Sequence, residues 1–345
     1  MSLPASQPSR SASAQIAPLT TLLEVEMKGV NEVILDRMQS HVPLIPQLAG
    51  HLIAAGGKRL RPLLTLAGAA AGYQHQQQDM PQLPQAARIL AAAVEFIHNA
   101  TLLHDDVIDK SDQRRGRDTA NALWGNEASV LVGDFLFARA FELMVETGDI
   151  TILELLASAS AQITEGEVKQ MTMQHEPSSS LQDYLEVITS KTAILFAAAA
   201  EAGARTTGAD KTLSGAMHHY GLALGRAFQI CDDALDYVSS TDKMGKNAGD
   251  DFYEGKITLP VIIAYQDASS EEKAFFDRTL GEADIKDGDF EQACRILARH
   301  DAVSRALAYA DDEVRQAVTQ LEVLPHGNLR EALTQAAYFS ARRSV

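Results

Sequence analysis

The sequence predicts an all-α fold, and three observations carry that prediction. Hydrophobic residues make up 46% of the chain but aromatic residues only 6%, a balance that favours closely packed helices over sheets rich in aromatic side chains. Alanine runs at 91–93 and 197–200 are strong helix formers. Apolar residues recur at the helical period through most of the chain, and no segment shows the alternation of a half-buried strand.

Helix-period patterns cover residues 19–38, 62–72, 85–104 and 126–146. Pro62 falls near the first turn of its helix, where its missing N–H costs nothing. Further helices are expected at 150–173, 181–204, 213–237 and 259–267, with several more up to residue 340. Loops are read at 74–84 (QHQQQDMPQLP), 174–180 (QHEPSSS) and 239–255, from their content of Pro, Ser, Gly and Asp. No fixed-period repeat is visible. A chain of 345 residues can bury a sizeable core, and residues 19–345 read as one helical domain. Residues 1–18, rich in Ser, Pro and Ala and without an apolar centre, are expected to be a disordered tail, not a secretory signal.

The formal charge of −16 argues against nucleic acid or anionic lipid as a partner, because neutralising phosphates over a wide surface needs a basic protein. Any anion site must be local. Cys231 and Cys294 are 63 positions apart without metal-type spacing, and read as free thiols in a reducing cytosol. No uninterrupted apolar run reaches the ~18 residues of a membrane span, so a cytoplasmic protein is expected.

The chemistry concentrates in two acidic clusters. In LLHDDVIDKSDQRRG (102–116), Asp105, Asp106 and Asp109 have spacing i, i+1, i+4, which on a helix confines them to an arc of roughly 100°. They follow the mostly apolar FIHNATLL, at the end of a helix whose carbonyl terminus is already negative. Carboxylates crowded there repel one another and need a cation. The same spacing returns 127 positions later in QICDDALDY, as Asp232, Asp233 and Asp236. Two facing helices with such arcs would form an all-oxygen site suited to Mg²⁺ with substrate phosphate oxygens. Asp112 shares the first face but has no counterpart at Ser239, and is not expected to hold metal.

Cations for a phosphate stand in four places. GGKRLRP (56–62) gathers Lys58, Arg59 and Arg61 at the start of a helix, a location that favours a bound anion. Arg114, Arg115 and Arg117 follow the first aspartates. Lys191 and Thr192 lie in ITSKTAILF. Lys246 and Lys256 flank Asp250 and Asp251 in DKMGKNAGDDFYEGK. His98 lies two turns before Asp105 and Gln229 one turn before Asp232, placed to touch a diphosphate or an ordered water. Glu167 and Gln170 add a polar face to an otherwise apolar helix.

These motifs, with VLVGDFLFARAF, GEVKQ and GKNAGDDFYEGKITLP in the same order, resemble those of the trans-isoprenyl diphosphate synthases from about Leu22 to the C-terminus. The resemblance implies a single large bundle of mostly antiparallel helices around a deep central cavity, usually as a homodimer. It implies Asp105, Asp109 and Asp232 as Mg²⁺ ligands for about three ions, with Asp106, Asp233 and Asp236 acting through water or as supports. Arg114, Lys191 and Lys256, assisted by Lys246, would hold an allylic diphosphate. Lys58, Arg61, His98 and Arg115 would hold isopentenyl diphosphate, and Arg59 would be structural. Ionisation of the allylic substrate, attack by the isopentenyl double bond on the cation and loss of a proton to the departing diphosphate then follow.

In this family the residues four and five before the first aspartate floor the tail pocket. Here they are Thr101 and Ala100, both small, so a long product is expected, with Phe96 one turn deeper as the candidate floor. The chain is similar to bacterial octaprenyl and decaprenyl synthases supplying ubiquinone side chains, with transient membrane contact for product release. The alternatives are a shorter-chain farnesyl or geranylgeranyl synthase, a metal phosphohydrolase of the histidine-aspartate type suggested by His104-Asp105, and a non-catalytic subunit of a heteromeric synthase.

Overall fold

Small residues on facing helices set how closely this chain can pack. In the computed structural model, which describes residues 12–54, 59–76, 82–114, 117–238 and 249–341, helix α1 spans Ala12–Leu22, α2 Glu24–Arg37, α3 Leu44–Ala54 and α4 Leu60–His75. Next come α5 at Gln85–Ile108, α6 at Ala120–Trp124, α7 at Asn126–Glu146 and α8 at Ile150–Met173. Helix α9 (Leu181–Ile188) runs through a π-helical turn, Thr189–Ala193, into α10 (Ile194–Arg205), and α11 follows at Lys211–Leu235. The C-terminal part holds α12 (Asp250–Tyr253), α13 (Leu259–Asp267), α14 (Ser270–Phe276), α15 (Asp289–Arg299), α16 (Ala302–Gln320) and α17 (Asn328–Ala341). Among the described residues, the strand pairing is a two-residue hairpin that sets Gln113 against Asp118 and Arg114 against Arg117.

The predicted spans 126–146, 150–173 and 259–267 coincide with α7, α8 and α13. Side-chain caps fix three helix starts: Asp149 accepts from the N–H groups of Thr151 and Ile152 at the start of α8, Ser180 caps α9 and Asp210 caps α11. Three expectations need correction. The span 19–38 is two helices that meet at Leu23. The expected tail stops short of residue 18, because α1 begins at Ala12 and buries Ile16 and Leu19; residues 1–11 lie outside the described residues. Helix α5 and the segment Leu181–Arg205 are long and apolar enough to cross a membrane by length and composition, which a count of uninterrupted apolar residues misses. In this fold both are mostly buried against other helices.

Helices α4, α5, α10 and α11 form the centre. The alanines at 69–71 and 197–200 are fully buried and let α4 and α10 cross almost backbone to backbone. A Cβ on Gly203 would lie 1.8 Å from the Thr65 carbonyl oxygen, where no atom fits. Gly203→Ala should therefore force the crossing apart and cost about 3 kcal/mol or more, read as a lowered midpoint in urea unfolding; a change under about 0.5 kcal/mol would contradict it.

Candidate functional site

Two long helices end in the same way. Helix α5 runs past residue 104 to Ile108 with Asp109 as its C-cap, and α11 runs to Leu235 with Asp236 as its C-cap. Each therefore presents its three aspartates on its last turn. All six, Asp105, Asp106, Asp109, Asp232, Asp233 and Asp236, line a cavity of about 650 Å³, as the repeated spacing predicted.

The carboxylates sit there against their electrostatic preference. Burial first, then the charge of Glu167, pushes Asp105 up to about 7. Burial and the charge of Asp251 push Asp233 up to about 7 as well. Among the described residues, no three His, Cys, Asp or Glu side chains converge on one metal-sized point. Mg²⁺ takes one or two carboxylates alongside water and phosphate oxygens. The hard, all-oxygen donor set fits such an ion.

Not every aspartate is equally available. Asp106 is 1% exposed and its Oδ1 accepts from Arg114 Nε at 2.8 Å and pairs with Nη2 at 2.7 Å. Asp233 accepts from the Tyr184 hydroxyl at 2.6 Å and from Gln229 Nε2 at 2.7 Å. Gln229 Oε1 in turn accepts from Thr192 Oγ1 at 2.8 Å, so the Gln229 amide orders Asp233 and Thr192. Asp236 Oδ2 accepts from the Asp251 backbone N–H at 3.1 Å. Asp105, Asp109 and Asp232 are half-buried and face the cavity.

The cations stand on carboxylates. Lys191, on the π-helical turn, places Nζ 2.8 Å from Glu167 Oε2 and donates to Gln170 Oε1 at 2.6 Å. Lys256 places Nζ 3.1 Å from Asp109 Oδ2 and pairs with Glu254. Burial alone would lower its pKa, but Asp251, Asp109 and Glu254 outweigh burial and hold it above the ordinary lysine range. A second group lies at the start of α4 and on α5: Arg61 Nη1 donates to His98 Nε2 at 3.1 Å with its guanidinium 4.3 Å over the Phe196 ring. Arg59 Nη1 lies 3.4 Å from Glu95 Oε1. Lys58, Arg115 and Lys246 lie outside the described residues.

Of the three tail-pocket candidates, Thr101 lines the cavity; Phe96 and Ala100 do not, and both are fully buried. The reason is angular. At ~100° per residue, Ala100 points roughly 140° and Phe96 roughly 180° from Asp105. The apolar lining comes instead from Leu102, Ile163, Val187, Ile188, Phe196 and Phe228. His104 also faces away: its Nε2 lies 3.1 Å from the Val130 carbonyl oxygen and 3.6 Å from Asp134 Oδ1, both on α7, which removes the pairing that a histidine-aspartate metal site needs. Sequence reasoning missed Tyr184 and Glu95. Tyr184 is 49 positions from Asp233 and carries no local signal, whereas Glu95 interrupts a buried apolar stripe and could have been noticed.

Residues 42–297 match the sequence model of the polyprenyl synthetase family. The chain is 39% identical over 330 residues to octaprenyl diphosphate synthase of Haemophilus influenzae, covering 95% of this chain and 97% of the relative. It superposes on a polyprenyl synthase of Caulobacter crescentus complexed with calcium and isoprenyl diphosphate, with TM-score 0.91, 49% identity and coverage of 98% and 100% of the two chains. A decaprenyl diphosphate synthase of Rhodobacter capsulatus gives TM-score 0.89, 46% identity and coverage of 95% and 99%.

The strained carboxylates generate a pH prediction. Asp233 is raised from its ordinary 3.8 to about 7 in the fold, so its contribution to stability is whole below 3.8 and lost as pH rises through about 7. Asparagine does not titrate. In metal-free urea unfolding, Asp233→Asn should gain stability relative to the parent as pH rises from about 4 to about 7, and a pH-independent gap would contradict the burial described.

Proposed function

The chain belongs to the polyprenyl synthetase family, and we propose that it is a long-chain all-trans polyprenyl diphosphate synthase, a prenyltransferase that adds isopentenyl diphosphate units to an allylic diphosphate. One observation carries the reading: two carboxylate triads end two helices at a single cavity whose other walls supply Lys191, Lys256 and Arg61 above an apolar lining. Similarity to the octaprenyl and decaprenyl synthases named above supports a C40–C50 product over a farnesyl or geranylgeranyl one; its use as a ubiquinone side-chain precursor is proposed from the motif resemblance alone.

Mg²⁺ bound by Asp105, Asp109 and Asp232 would neutralise negative charge on the allylic diphosphate as its carbon–oxygen bond breaks. The chain's own cations do the same work from their side. Lys191 and Lys256 leave Glu167 and Asp109 for the diphosphate, Thr192 adds a hydroxyl donor, and Arg114, also on the cavity wall, holds Asp106 in place. Arg61 and His98 hold isopentenyl diphosphate, with Lys58 and Arg115 assigned to it by motif alone, as Lys246 is to the allylic diphosphate. Thr101, small and one turn before Asp105 on the cavity face, leaves room for a growing tail. The apolar lining excludes water from the reactive carbon, so the isopentenyl double bond is the nucleophile at hand.

All six aspartates are present, against the reading of a non-catalytic subunit. Leu131, Phe141 and Val145 form an exposed apolar strip on α7, suited to a homodimer contact, and the enzyme is assigned to the cytoplasm with product release at a membrane.

Incubation with Mg²⁺, farnesyl diphosphate and labelled isopentenyl diphosphate should give C40–C50 products by chromatography, and none when the metal is chelated. Asp105→Ala and Asp232→Ala should each lower turnover by on the order of 10²–10³ with helical content unchanged; near-parental turnover in both would remove the reading.

A further inference from the structure

Lys191, which lines the cavity, stands in a turn where the chain leaves α-helical geometry. The turn Thr189–Ala193 is π-helical, which adds a residue to one turn and rotates the downstream residues by ~100° about the axis. Such turns are costly and persist where something holds them. Here the holder comes from α11. Arg226 Nε donates to Thr189 Oγ1 at 2.8 Å, and that hydroxyl donates to the Leu185 carbonyl oxygen at 2.5 Å.

Arg226 is itself held at some expense. Its Nη1 lies 3.6 Å from Glu313 Oε1 on α16. Glu313 is 9% exposed and its other oxygen, Oε2, is buried without a hydrogen-bond partner. An unsatisfied buried carboxylate oxygen is rare in a core, and Glu313 meets no cation other than Arg226 among its described ion pairs. The neighbouring Gly225 lets α11 come close enough: a Cβ there would lie 2.6 Å from Ala193 Cα. Neither Arg226 nor Glu313 lines the cavity.

We infer that Arg226, braced by Glu313, is a positioning residue that holds the π-helical turn through Thr189 and thereby aims Lys191 and Thr192 into the cavity. The inference rests on the reading of Lys191 as a ligand of the allylic diphosphate. Without the brace the segment can close into α geometry, which turns Lys191 away from Glu167 and Gln170.

Thr189→Val removes the hydroxyl while leaving the buried Arg226–Glu313 pair intact, so it is the milder variant; Arg226→Met is the stronger. Both should lower kcat, by about 10-fold and on the order of 10²-fold respectively, with KM for isopentenyl diphosphate within about 2-fold of the parent, since Arg61 and His98 are untouched. Calorimetry with MgCl₂ and inorganic diphosphate supplies a readout that does not need turnover. Each variant should weaken diphosphate binding in the parent but not further in a Lys191→Met/Thr192→Val background, because a positioning residue acts through the groups it positions. Equal losses in both backgrounds, or parental kcat in Thr189→Val and Arg226→Met, would overturn the positioning role alone. Parental binding and turnover in Lys191→Met would overturn the assignment of Lys191, and with it this inference.

Discussion

Crowded negative charge in a largely buried hollow governs this molecule. Six aspartates, with Glu167 and Asp251, line the same cavity, and burial pushes Asp105 and Asp233 far above the ordinary carboxylate range. Each is tolerable only because something answers it. Arg114 answers Asp106, Lys256 answers Asp109, and Tyr184 with Gln229 answers Asp233. Asp106 and Asp233 are thus tied down by neighbours in the chain, whereas Asp109 shares its charge with a lysine that lines the same cavity.

The helical scaffold exists to keep that arrangement rigid. Alanine and glycine at the α4–α10 crossing bring the two backbones together, and such close packing resists local rearrangement. Against that stiffness the π-helical turn at Thr189–Ala193 is a local departure from regular geometry, at the lysine that lines the cavity.

Much of this was legible in the sequence because the signal was periodic or local. The doubled i, i+1, i+4 aspartate spacing placed both triads on helix faces, and the polar punctuation around 126–146, 150–173 and 259–267 located three helices to the residue. What was not legible depended on rotation and on distant partners. Phe96 and Ala100 follow the right count back from Asp105 but point to the wrong side of α5. Tyr184, Arg226 and Glu313 act through contacts with residues far along the chain, which no spacing rule encodes. The π-helical turn interrupts a pattern that reads as one continuous helix from 181 to 204, since residues 194–204 are buried on every side and carry no polar face whose phase could reveal the shift.

Helix α5 carries His98 and Asp105 on one face, seven residues apart, a rise of about 10.5 Å along a rigid rod. Under the proposed assignment these two side chains anchor the two reactants, so the gap between electrophile and nucleophile is a property of one secondary-structure element. A synthase that extends its own product must recreate the same encounter many times while the tail lengthens by a unit at each pass. Building both anchors on one rod makes that encounter indifferent to the cycle number: the tail end can be accommodated by whatever compliance the far walls have, and the reacting ends are returned to the same separation each time.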